Sequence, residues 1–484
     1  MFSTYILSMK FGKDERIHFI GVGGISMSAL AKYVANNGGA VSGSDRERTA
    51  CTIDLEKIFP INYGENPTVV DGASKVVYSS AISEDNLELK RARKLKIPTF
   101  ERHEFLGEIS KGFHKTVAVA GTHGKTTVTA LVTEGLKNLK ADFSAHIGGE
   151  TELGNLILSG NEIFVTEACE YKQSLLSLNP HISVLLNAEL DHPDCYQDIK
   201  SLLGVYLTFL EKGEIQIFSK ELVDICSNEH IYIDGYEKLS KGWKTVENCQ
   251  NMPKDSVVVL SNGNVKIWQY KNMRNVDGKF MFDVYADCQY VDVVVTYDED
   301  NITAQNTLVA LAVLDGLGYK LNSTKGALKH FKGVKRRREL VGYLGESKVV
   351  FDYAHHPTQI RNILSIYQGK RLVVFQPHTY SRTQAYFDDF CLALSLADHL
   401  VIMETYGARE CVIDGADSSC LAEQISTIIA KERVEYIKST DKTIDYVIRH
   451  KNDFDYILFL GAGDIYDLKG KLTPYLNPNK PVVK

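Results

Sequence analysis

The sequence predicts an α/β protein built on parallel sheets, and three features carry that prediction. Short apolar runs alternate with longer helical patterns along most of the chain. Several of those runs, among them Val117–Ala120, Ile163–Thr166 and Tyr456–Leu460, stop in glycine or polar clusters, where doubly wound sheets hold their ligands. One of them leads through a glycine-bounded, lysine-bearing loop into a helical pattern, the strand–loop–helix unit that cradles phosphate. At 484 residues the chain is too long for one core, so about two to four domains are expected.

Composition narrows the class. An apolar fraction of 44% and a charged fraction of 24% are those of a soluble globular protein. A net charge of −6 with no dominating basic block argues against nucleic acid or an anionic membrane as partner. No apolar run reaches the roughly eighteen residues of a membrane span. The first residues, Met1 to Arg16, lack the layout of a signal peptide. Nine cysteines, scattered singly, suit reduced thiols in a cytoplasm better than a disulfide frame or zinc site.

In order, Ile17–Ile20 is the first strand, followed by Gly21-Val22-Gly23-Gly24-Ile25-Ser26 and a helix from Met27 to Asn36. This resembles the opening of a dinucleotide-binding fold, with Ser26 replacing the third glycine. Val41–Asp45 ends a second strand in an acid placed for a ribose contact. A dinucleotide and a merely tight turn are equally open on these glycines, but Ser26 and the separate phosphate loop favour another diphosphate-bearing ligand. Val76–Ile82 ends a further strand in Ser79-Ser80, suited to hydrogen bonds with phosphate or base. Ile97 to Glu108 completes this part, and Lys111–His114 reads as a linker.

The phosphate loop is Gly121-Thr122-His123-Gly124-Lys125-Thr126-Thr127. Its glycines let backbone N–H groups face an anion, the helix N-terminus adds partial positive charge, Lys125 meets the outer phosphates and Thr126 can ligate Mg²⁺. The strict motif wants glycine where Val119 stands. Glu167, at the end of Ile163–Thr166, is placed to hold the metal. Ile182–Leu186 ends in Asn187-Ala188-Glu189-Leu190-Asp191-His192-Pro193, where His192 is a candidate for metal or phosphate contact. Gln216 to Tyr297 alternates in short strands and turns, an antiparallel region beside the parallel sheet. Asn301–Leu317 reads as a helix with Asn306 on its first turns. The basic run His330 to Arg338 could send an arginine toward bound phosphate. Beyond it, Val349–Pro357, Arg371–Thr383, Leu400–Met403 and Tyr456–Asp464 are strands with polar ends that gather Asp352, Tyr353, His355, His378 and Arg382 on the ligand-binding edge of a third sheet.

Gly21 to Ala29, Ser79 to Ile82, Gly121 to Thr127, Glu167 to Glu170, Asn187 to Tyr196, Phe331 to Arg337, Asp352 to Thr358 and Gln376 to Thr383 run in the order of the Mur ligase family, which the chain resembles over nearly its whole length. The last two segments point to members that add alanine. The resemblance implies α/β architecture in three domains. A Rossmann-like N-terminal domain, 1–113, would bind the UDP-sugar. A central ATP-binding domain, 114–333, would carry a P-loop ATPase-type parallel sheet with an added antiparallel region. A Rossmann-like C-terminal domain, 334–484, would bind the amino acid. The implied activity is ATP- and Mg²⁺-dependent joining of L-alanine to the lactyl carboxylate of UDP-N-acetylmuramate, through an acyl phosphate, in cytoplasmic peptidoglycan precursor synthesis by a monomer or homodimer.

By similarity, Gly23, Gly24, Ser26, Asp45 and Ser80 would face the UDP group. Gly121 to Thr127 would hold the ATP phosphates, with Asn306 at adenine, Asp352 at ribose and Arg337 at the γ-phosphate. Thr126, Glu167 and His192 would surround Mg²⁺, and Tyr353, His355, His378 and Arg382 would line the alanine pocket. Lys125, Glu167, His192 and Arg337 would carry the chemistry, and His355 or His192 would take the amine's proton. The chain departs from the family's pattern at Phe351, Thr379, Val309 and Cys169. Competing readings are a ligase adding a preformed peptide to the same sugar, a P-loop ATPase that forms no bond, and a non-catalytic relic.

Overall fold

The computed structural model of the chain describes residues 11–12, 15–64, 66–192, 195–228, 253, 256–277, 279–296, 300–329, 331–408 and 410–479. The opening ten residues, Pro193, His330 of the basic run and much of the stretch from Gln216 to Tyr297 lie outside them. Met1–Lys332 form one compact unit and Gly333–Lys484 a second. No helix among the described residues is long and apolar enough to cross a membrane.

Three sheets carry the chain. The first comprises β1 (Arg16–Ile20), β2 (Ala40–Asp45), β3 (Ile61–Tyr63), β4 (Lys75–Tyr78) and β5 (Thr99–Glu101), in the order β3-β2-β1-β4-β5. All its pairs are parallel. The order reverses between β1 and β4, so the carboxyl end of β1 opens a crevice at the switch point. Helix Ile25–Asn36 starts there, with Gly24 as its N-cap and no acid in its first turn.

The second sheet comprises β6 (Lys115–Ala120), β7 (Phe143–Thr151), β8 (Gly154–Leu158), β9 (Ile163–Glu167), β10 (Ile182–Leu185), β11 (Ile215–Ser219), β12 (Val257–Ser261), β13 (Asn264–Val276), β14 (Lys279–Ala286) and β15 (Gln289–Thr296). Its order is β15-β14-β13-β12-β11-β10-β6-β9-β7-β8. Strands β11, β10, β6, β9 and β7 are parallel. The antiparallel addition begins at β12, later than Gln216, because β11 still pairs parallel with β10. The buried strand β6 is central, with Val119, the residue that departs from the strict glycine motif, paired to Val184 and Glu167. The chain therefore turns only at Gly121, beyond the strand. Helix Asn301–Gly316 is apolar almost all round and buried on most of its surface, as a helix between layers must be.

The third sheet comprises β16 (Glu339–Leu344), β17 (Ser347–Asp352), β18 (Arg371–Phe375), β19 (His399–Ile402), β20 (Val434–Tyr436) and β21 (Tyr456–Leu460), in the order β16-β17-β21-β18-β19-β20. All pairs are parallel except β16–β17. Period-two alternation sends Val350, Val373, Phe375, Leu458 and Leu460 to one core and Val349, Phe351, Leu372, Val374 and Phe459 to another. Apolar cover on both faces is why these strands read as continuous hydrophobic runs.

Candidate active site

Beyond β6 the chain enters the phosphate loop. Gly121 has φ 132° and Gly124, the N-cap of helix Lys125–Asn138, has φ 86°. A Cβ on Gly121 would lie 3.0 Å from Leu186 Cβ, so only glycine lets the loop pass this closely over the end of β10. The polar cluster after β10 clamps the loop. His123 N donates to Asn187 Oδ1 at 2.8 Å, and Asn187 Nδ2 donates back to His123 O at 3.1 Å. Thr122 Oγ1 donates to Glu189 O at 3.0 Å, and His123 Nε2 lies 3.0 Å from Glu189 Oε2. Asn306 also reaches the loop, its Oδ1 3.3 Å from where a Cβ on Gly124 would stand.

Lys125 points back over the loop, donating to Gly121 O and, at 2.9 and 3.1 Å, to both carboxylate oxygens of Glu170. Burial disfavours the Lys125 ammonium, but the adjacent Glu170 carboxylate outweighs it and holds the lysine's pKa above its ordinary value. Burial likewise works against the Glu170 anion, and Lys125 and His192 reverse it, so its pKa lies below the usual carboxylate range. His192 Nε2 is 3.6 Å from Glu170 Oε1, and its ring lies against Tyr171 at 5.1 Å. His192 holds φ 57°, an uncommon backbone for a residue with a Cβ.

Glu167 faces elsewhere, accepting from Gly148 N on β7 at 2.6 Å. Of the two acids three positions apart, the structure brings Glu170 to Lys125 and His192. Position in the sequence points to Glu167, but both acids follow the same apolar run, and which one faces the loop depends on the turn after β9. Buried Thr126 and Glu170 and half-buried Glu167 and His192 offer three oxygen donors and one imidazole, side-chain types that suit a hard divalent cation.

At the switch point of the first sheet, Gly23 N donates to Asp45 Oδ2 at 2.7 Å, so the acid expected at a ribose closes the glycine turn. Gly24 is exposed, and Ser80, two residues beyond β4, is half-exposed. Ser26 Oγ meets Arg102 Nη1 at 3.2 Å and His146 Nε2 at 2.9 Å. Neither Arg102 nor His146 stands in a recognisable motif, and both went unread in the sequence.

Within residues 333–484, a second cluster forms on the carboxyl edge of the third sheet. Asp352 accepts from Arg338 N at 2.8 Å and Ala354 N at 2.7 Å. Burial nevertheless raises its pKa, against the pull of Arg337 and these N–H groups. His355 Nδ1 is 2.8 Å from Tyr353 O, and the His355 and His378 rings are 5.9 Å apart. His378 stacks on Tyr406 at 5.5 Å, and Arg382 Nη1 is 3.4 Å from His378 Nδ1. Burial and the Arg382 guanidinium push the His378 imidazole down to about 4. Arg337 lies over the Tyr353 ring at 4.6 Å. Its neighbour Arg336, which the sequence did not single out, lies between the rings of Tyr353 and Tyr466 and donates to Gly461 O and Gly463 O at 3.2 and 2.9 Å.

Three family models match in succession: "Mur ligase family, catalytic domain" over residues 16–114, "Mur ligase middle domain" over 119–218, and "Mur ligase, glutamate ligase domain" over 336–463. The UDP-N-acetylmuramate–L-alanine ligase of Clostridium kluyveri is 35% identical over 97% of this chain and 100% of its own. That of Caldanaerobacter subterraneus subsp. tengcongensis is 35% identical over 97% and 98%. The crystal structure of the UDP-N-acetylmuramate–alanine ligase of Thermotoga maritima superposes with TM-score 0.72 at 26% identity, covering 95% of this chain and 98% of that one.

Proposed function

The chain belongs to the Mur ligase family, and we propose that it is a member joining L-alanine to the lactyl carboxylate of UDP-N-acetylmuramate, driven by ATP, in peptidoglycan precursor synthesis. The observation that carries the reading is Lys125, held charged by Glu170 on a glycine loop locked to the end of β10.

The substrate carboxylate attacks the γ-phosphorus, ADP leaves, and an acyl phosphate forms. The amine of alanine attacks its carbonyl, phosphate leaves, and the amide results. The first step needs charge neutralisation and alignment more than covalent help. Lys125 supplies one positive charge by exchanging Glu170 for phosphate, and Arg337 supplies another. Thr126, Glu167 and His192 would hold Mg²⁺, with Glu170 beside them, and the ion would neutralise phosphate oxygens. Asn306 would meet adenine and Asp352 the ribose. Gly23, Gly24, Ser26 and Ser80 would receive the UDP group on a turn that Asp45 closes. Arg382 is suited to the alanine carboxylate by its planar fork. His355 donates Nδ1–H to Tyr353 O, since a carbonyl can only accept, which leaves Nε2 as the basic nitrogen for the amine's proton. Tyr353 and neutral His378 wall the pocket. On this reading the domain boundaries along the chain fall near residues 113 and 333.

Product analysis with UDP-N-acetylmuramate, ATP, Mg²⁺ and a panel of amino acids tests the assignment. The alanyl amide should form fastest, and Lys125→Ala should lower kcat at least about a hundredfold while UDP-sugar binding survives. Amide formation with a tripeptide in preference to alanine would overturn it.

A further inference from the structure

Residues Val334 to Arg337 form a turn closed by Arg337 N, which donates to Val334 O at 3.1 Å. Its third position, Arg336, has φ 61°. Glycine takes that conformation without strain, so a long side chain there is kept for what it touches. The Arg336 guanidinium lies over the rings of Tyr353 and Tyr466 at 4.9 and 5.1 Å, and its Nη2 donates to Gly461 O at 3.2 Å and Gly463 O at 2.9 Å. Its backbone is tied as well. Arg336 N donates to Glu339 Oε2 at 2.8 Å, and Arg336 O accepts from Tyr353 N at 2.7 Å. Tyr353 follows β17 and Gly461 follows β21, two strands paired side by side. On the far side of Arg337, Arg338 N donates to Asp352 Oδ2 at 2.8 Å. The turn is therefore held on both flanks of Arg337. Among the described residues, no carboxylate comes within ion-pair distance of the Arg336 or Arg337 guanidinium, and no hydrogen bond claims that of Arg337, which lies over Tyr353 at 4.6 Å.

We propose that Arg336 is a positioning residue for phosphoryl transfer: it pins the turn to the carboxyl edge of the third sheet, so that Arg337 meets the γ-phosphate with its N–H groups uncommitted. The proposal rests on Arg337 taking that role. Arg336 does not take it itself, because its Nη2 is spent on two carbonyls and its plane is spent on two rings. The neutrality of these partners matters. A carboxylate would anchor the turn equally well, but it would cancel positive charge beside Arg337. Ring faces and carbonyls anchor Arg336 and leave both charges to act on an approaching phosphate. An arginine aligned before ATP arrives costs no reorganisation during the transfer, and misplacement by about an ångström is enough to lose much of the rate.

The test is a double-mutant cycle on the full chain, read as ligation kinetics. Arg336→Gly suits the positive φ and removes only the clamp, so it should fold. Its kcat should fall about tenfold or more, while UDP-sugar affinity stays within about twofold of wild type. Arg336→Lys, which keeps a cation over the rings, should recover part of the loss. Because Arg336 acts through Arg337, adding Arg336→Gly to Arg337→Ala should lower kcat no further than Arg337→Ala does alone. An unchanged kcat in Arg336→Gly overturns the proposal, and so does a fully additive loss in the double variant. Should Arg336→Gly fail to fold, the same cycle run with Arg336→Lys decides: partial loss of kcat, absent on the Arg337→Ala background, supports the clamp, and full activity overturns it. If Arg337→Ala alone leaves kcat untouched, the γ-phosphate assignment itself falls, and the clamp with it.

Discussion

Glu170 is the anion that lets a lysine stay charged under the loop in the absence of nucleotide. Replacing one member of a buried pair leaves the other uncompensated, at a cost of roughly 3–5 kcal/mol. Glu170→Gln should therefore lower the denaturation midpoint without nucleotide, and Mg-ADP should recover most of the loss by supplying phosphate to Lys125. A variant equally destabilised with and without ADP would deny Glu170 this role. His378 and His146 set an acid limit. Their ordinary value is 6.5, and in the folded protein they lie near 4 and 3. Between these limits the unfolded chain binds more protons, so stability falls as pH drops from 6.5 and levels off only below the folded values. Urea titrations across this window should show a shallower pH slope for His378→Gln than for wild type. Lys125, His192 and the cluster of Tyr353, His355, His378 and Arg382 were legible as strand-end groups because motif and strand end coincide. Glu170, Arg336, His146 and Arg102 were not, since each acts through a partner distant in sequence or through a local turn.

Strands and their ends were read well at the level of elements, because apolar runs closed by glycine or polar residues leave few alternatives for a buried parallel strand. Boundaries drifted where the signal changes sign gradually. Helix Ile25–Asn36 begins before Met27 because the glycine turn needs no further residue, and antiparallel pairing begins at β12. Pairing across strands was not legible, and one pairing has a functional consequence. Gly148 on β7 presents its N–H to Glu167 so closely that an added Cβ would lie 2.7 Å from both carboxylate oxygens. That position is exposed and the carboxylate is a flexible end, so Gly148→Ala should fold normally. It should displace Glu167 and raise the Mg²⁺ requirement for ligation about tenfold or more. An unchanged Mg²⁺ titration would remove Glu167 from the metal site.

Across the whole molecule, length and repeated strand–helix alternation announced several sheets, but not how tightly the first two are joined. Lys111–His114 reads as a linker by composition, yet Phe113 stacks on Phe164 with ring centroids 4.8 Å apart. Nearby, a Cβ on Gly107 would lie 2.5 Å from the backbone oxygen of Ser177. Gly107→Ala should wedge these layers apart, at an overpacking cost of about 1–3 kcal/mol. Hydrogen exchange should then quicken in β1 and β6 together, whereas quickening confined to β1 would mean the layers are not one cooperative unit. Such a junction acts as a gauge. The span from the glycine turn at Ser26 to the loop at Lys125 is set before any ligand arrives, so a substrate is measured by its own length. A sugar nucleotide shortened by a single phosphate should still dock at one end, yet hold its carboxylate out of reach of ATP at the other.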